Sequence, residues 1–78
     1  MLFDIGWFVM DQRGTFFKIE GPMNKGHATE LPGCGDSIYT NETFYIVTSK
    51  VFNYGNTPNP TIRINLVQPK LLNEPAAR

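Results

Sequence analysis

Two strand-like runs in the second half of the chain constrain its fold most. Residues 43–54 and 61–67 flank a turn-rich loop, Gly55-Asn-Thr-Pro-Asn-Pro60. In the later run Ile62, Ile64 and Leu66 point one way, and Thr61, Arg63 and Asn65 the other. That is the period of a strand with one buried face and one wet face. The earlier run is apolar on both parities: Phe44, Ile46, Phe52 and Tyr54 on one, Tyr45, Val47 and Val51 on the other. The polar stretch Thr48-Ser49-Lys50 between them predicts a bulge that swaps the faces. The competing expectation is an apolar face left for a partner or for a second copy of the chain.

The first half reads the same way. Over residues 3–10, Phe3, Ile5, Trp7 and Val9 alternate with Asp4, Gly6, Phe8 and Met10, and the aromatic and β-branched content suits a pleated surface. Asp11-Gln-Arg-Gly14 predicts a type I turn closed by a left-handed glycine, followed by a strand over 15–20. A four-residue loop sets Phe8 opposite Phe17 across this hairpin.

Residues 21–36 hold four glycines and two prolines, so a long Gly/Pro-rich loop is expected there, with a short helical turn near 28–31. A short strand is expected over 36–39, with a turn at Asn41-Glu42 after it. The whole reads as one small β domain over 1–70 and a flexible C-terminal tail over 71–78, where Leu71 and Leu72 are the residues able to dock. The expected architecture is a four- or five-stranded antiparallel sheet curled into a small barrel. Gly35-Asp36-x-Ile38, then Tyr45-x-Val47, then Ile62-x-Ile64-x-Leu66 resembles the small SH3-like barrels common among short bacterial and phage proteins. The resemblance spans residues 35–67, rests on turn and apolar spacing, and carries no site residues with it.

At 78 residues the core is small, and domains of this size often add disulfides, a metal or oligomerisation. The lone Cys34 cannot bridge within the chain and suits a reducing compartment. One His and one Cys fall short of a four-ligand zinc site, and no cofactor is expected. Oligomerisation remains, and a homodimer is the expected form. Seven basic residues balance seven acidic ones with no basic run, which argues against a dedicated nucleic-acid binder without excluding a local patch. The apolar N-terminal run lacks a basic n-region and a cleavage site, and no stretch is long enough to span a bilayer. A cytoplasmic protein with no membrane role is expected, in the host cytoplasm if phage-encoded.

Three constellations bear on chemistry. Cys34 and His27 share the Gly-rich loop, where Glu30 or Asp36 are placed to orient the imidazole of a thiolate–base pair. Against this, Pro32-Gly-Cys-Gly-Asp36 is a turn sequence without a rigid supporting shell. The carboxylates are scattered, and the glycines match no phosphate-binding motif. The third constellation is aromatic: Trp7, Phe16, Phe44, Phe52 and Tyr54 are candidates for an interface or a stacking platform, with Lys18, Lys50 and Arg63 as flanking cations.

The function expected from these residues is a small non-enzymatic protein-binding module that occludes or recruits a protein partner. Trp7, Phe52, Tyr54 and Arg63 are its contact residues, since interface hot spots are rich in Trp, Tyr and Arg. Size and class suit a phage or mobile-element inhibitor of a host defence complex. The alternatives are a nucleic-acid-binding small barrel and, last, a Cys34-dependent enzyme.

Overall fold

The computed structural model describes residues 1–55 and 59–69. The expected tail at 71–78, with Leu71 and Leu72, lies outside the described residues. Six strands form in chain order: β1 (Phe3–Met10), β2 (Phe16–Ile19), β3 (Lys25–Gly26), β4 (Ser37–Thr40), β5 (Thr43–Asn53) and β6 (Thr61–Val67). They make one sheet in the order β2-β1-β6-β5-β4, with β3 paired to β1 beside β2. The sheet is open and curled into a half-barrel. Among the described residues its end strands, β2 and β4, are not paired with each other. No helix among them is long and apolar enough to cross a membrane.

The expectation of a four- or five-stranded antiparallel barrel needs correction: the sheet has six strands, is open, and contains one parallel pair. β1 and β6 run parallel, from Asp4 opposite Thr61 to Val9 opposite Leu66. This pairing welds the two hairpins into one sheet. Both strands alternate in phase, so Ile5, Trp7 and Val9 sit opposite Ile62, Ile64 and Leu66 on the inner face. Opposed residues share a face, and burying each such side chain stabilises by about 1.5–3 kcal/mol. Ile62, Ile64 and Leu66 are 0% exposed, and with Phe3, Tyr45 and Val47 they complete the core.

The segment at 21–36 is also more ordered than a plain loop. It contributes β3 and a 3₁₀ turn at Ala28–Glu30, capped where Glu30 Oε1 accepts the His27 amide at 2.6 Å. Met23, Ala28 and Leu31 from this segment pack against the core, and the Trp7 indole Nε1 donates to the Met23 carbonyl at 2.6 Å.

Two local details decide which residues share a face. In the first hairpin Gly14 has φ +83°, its amide donates to the Asp11 carbonyl, and the Asp11 carboxylate accepts the Arg13 and Thr15 amides. The Asp11–Thr15 backbone bond closes a three-residue loop rather than a four-residue one. Phe8 therefore faces Lys18 and not Phe17, while Phe17 faces Val9 and Phe16 faces Met10. In β5 the register slips between Val47 and Ser49, so Thr48 is an unpaired bulge. Tyr45 and Val47 point inward before it. After it, Lys50 and Phe52 lie opposite inner-face Ile64 and Ile62.

The β4–β5 turn is strained at one position. Asn41 and Glu42 both adopt positive φ, +53° and +60°, the pair required by a two-residue type I′ hairpin. Asparagine tolerates this conformation, whereas a glutamate there costs about 1–2 kcal/mol. Glu42→Gly is expected to stabilise the fold by about 0.5–1 kcal/mol after glycine's own entropy cost. A thermal melt should show Tm rising by several degrees.

Candidate functional site

The half-barrel presents two clusters, one on each face, and the bulge at Thr48 divides β5 between them. At the C-terminal end of β5, on the inner face, lies an aromatic corner. Phe52 and Tyr54 are stacked with centroids 6.4 Å apart, and both meet the buried Phe3 ring edge-on, at 5.8 and 5.9 Å. Tyr54 is 64% exposed and Phe52 39%. They are aromatic surface held in place from below by a core residue.

The outer face carries the second cluster. Arg63 faces Gly6 on β1 and Val51 on β5. Its guanidinium carbon lies 4.0 Å from the Phe8 centroid and 5.0 Å from that of Phe16. Such contacts are worth about 0.5–2 kcal/mol, more as they become dry. Gly6 leaves room for the Phe8 ring, since a Cβ there would sit 3.0 Å from Phe8 Cε1. Below the guanidinium, Arg63 Nε donates to Asn65 Oδ1 at 2.8 Å, and Asn65 Nδ2 donates to Ser49 Oγ at 2.9 Å. The Thr48 hydroxyl donates to the Asn65 carbonyl at 3.1 Å. Asn65 is only 8% exposed, so a side chain expected to be wet is buried and hydrogen-bonded at the bulge.

The four contact residues expected from sequence do not converge. Trp7 is 2% exposed and offers a partner almost nothing to touch, so it is withdrawn from the interface and assigned to the core. Phe52 and Tyr54 share the inner corner, and Arg63 lies on the opposite face. The wider aromatic set also disperses: Phe16 lies beside Arg63, and Phe44 packs against Tyr39 with the rings tilted and their centroids 4.7 Å apart, toward the β4 edge. Of the cations, Lys18 faces Phe8 on the outer side, whereas Lys50 faces Ile64 within.

Cys34 is exposed in a Gly33–Asp36 turn whose Gly35 has φ +92°. The carboxylates placed by sequence to orient His27 bond backbone amides instead: Glu30 takes that of His27 and Asp36 that of Gly33. The imidazole Nδ1 contacts the Met1 carbonyl oxygen at 2.8 Å.

Sequence reasoning missed Phe8, Gly6 and Asn65. A bulky aromatic on the same parity as Asp4 and Gly6 in β1 was the available signal for an occupied outer face. No protein-family model matches the chain, and no match appears among curated proteins or solved structures.

Proposed function

We propose that this chain is a small non-enzymatic protein-binding module that pairs with a second copy of itself through the aromatic corner and then occludes or recruits a further protein. The observation that carries this reading is the pair Phe52 and Tyr54, exposed yet ordered against Phe3. Aromatic side chains already held in one arrangement lose little entropy on docking, which is what interface anchors require. An open half-barrel in a chain this short also supports it, since oligomerisation is a usual route to extra buried surface. An SH3-like barrel is the finer architectural reading, supported by the curl and by the adjacent antiparallel strands β4, β5 and β6.

Tyr54 is the residue to test, because it stands furthest from the core. Tyr54→Glu is expected to leave the melting transition within about 0.5 kcal/mol of the parent, as surface changes usually do, and to yield a monomer by light scattering. A folded variant that self-associates as the parent does would remove the corner from the interface.

The nucleic-acid reading has one supporting observation: Lys18, Arg63 and Phe16 share the outer face. Asp4 lies on that face too, opposite Lys25, and Lys50 does not, so the positive stripe such binding needs is interrupted.

A further inference from the structure

The outer face holds a groove of about 380 Å³ between β1, β2, β5 and β6, at the small end of ligand sites. Gly6 and Val51 line it without charge, Phe8 and Arg63 form one wall, Lys18 stands on the β2 side and Asp4 at the β1 start.

Arg63 is prepared for a particular ligand. Its Nε is taken by Asn65 and its plane is held by Phe8. Neither Nη donates a hydrogen bond among the described residues. A guanidinium fixed in this way keeps two parallel N–H donors for a planar oxyanion, and little rotamer freedom is left to lose on binding. The rest of the groove narrows the choice. A nucleic-acid strand brings a run of phosphates, which Asp4 at the β1 start would repel even with Lys25 opposite it on β3. A single carboxylate on Arg63, with Lys18 beyond it, avoids that repulsion, and the space over Gly6 and Val51 suits an uncharged neighbour.

We infer that this groove is a docking site for an acidic segment of a protein partner: an aspartate or glutamate side chain held by the Arg63 fork, with an adjacent apolar side chain over Gly6 and Val51. The proposal rests on the reading of the chain as a protein-binding module but not on the aromatic corner, which faces the other way.

The experiment selects a random displayed peptide library on the immobilised full chain, and in parallel titrates single-stranded oligonucleotides at rising salt. Enriched peptides should carry Asp or Glu beside an apolar residue, and amide replacement of that acid should weaken binding about tenfold or more. Arg63→Lys keeps the charge and the apolar stem but loses the fork and the Nε bond to Asn65; with a cooperative melting transition confirmed first, it should weaken the same peptides at least fivefold. Peptides that bind without an acid, or that bind the lysine variant as well as the parent, would overturn the groove proposal and leave the binding-module reading standing. Oligonucleotide affinity that falls steeply with salt, with no peptide enriched, would overturn both.

Discussion

Gly21→Ala is expected to cost about 3 kcal/mol or more, a large part of the roughly 5–10 kcal/mol that holds a domain of this size together. The reason is position, not backbone conformation. A Cβ at Gly21 would land inside the Trp7 indole, against Cδ1, Cγ and Nε1. The ring cannot retreat, because it lies opposite Ile64 and its Nε1 is tied to the Met23 carbonyl. The segment that laps the core must move instead, and Met23, Ala28 and Leu31 follow from it. Gly14→Ala is the contrasting change. Nothing lies within 4 Å of its Cβ position, and its cost is that of φ +83° alone, about 1 kcal/mol. Urea denaturation should rank the two in that order. In a Trp7→Leu background the Gly21→Ala penalty should fall by more than half, since the clash is with the indole. Equal penalties in both backgrounds would show that Gly21 matters for another reason.

Deleting Thr48 is expected to leave a cooperative fold with the same inner face. The bulge joins two halves of β5 whose alternations are out of phase. Without the extra residue Val47, Ser49 and Lys50 follow one another opposite Leu66, Asn65 and Ile64, so Tyr45, Val47, Lys50 and Phe52 all stay on the inner face in unbroken alternation. The deletion removes the hydroxyl bond to the Asn65 carbonyl and the extra local twist that a bulge supplies. Thr48→Ala keeps the bulge and removes only that hydroxyl bond, which should cost about 0.5–1.5 kcal/mol. A deletion variant that loses its sharp transition would mean that the bend at the bulge, and not only the pairing on either side of it, holds β5 in the sheet.

The same bulge marks how far local pattern reaches. Strands over 3–10 and 61–67 follow from alternation, and they form there because each side chain's neighbours enforce the same period. Thr48-Ser49-Lys50 stood out because polar residues broke an apolar run. The Asp11–Gly14 turn was legible in type but not in length, and that one-residue difference moved Phe16 and Lys18 onto the face that carries Arg63. The parallel β1–β6 ladder was not legible. It joins residues far apart in the chain, and no turn or spacing announces it. For the candidate sites, Phe52, Tyr54 and Arg63 were named from composition alone. Trp7 was named with them for the same reason and is core, since hydrophobicity does not distinguish an anchor from a buried ring. Asn65 escaped notice because its burial depends on Arg63, Ser49 and the bulge together.

Solution mass by light scattering, at low and high salt and over a range of protein concentrations, tests the central claim most directly. Self-pairing through Phe52 and Tyr54 is apolar, so the mass should be that of a dimer in both salts, twice the 8.8 kDa of one chain. A mass of one chain at every concentration and in both salts would contradict the proposal that a second copy covers the aromatic corner.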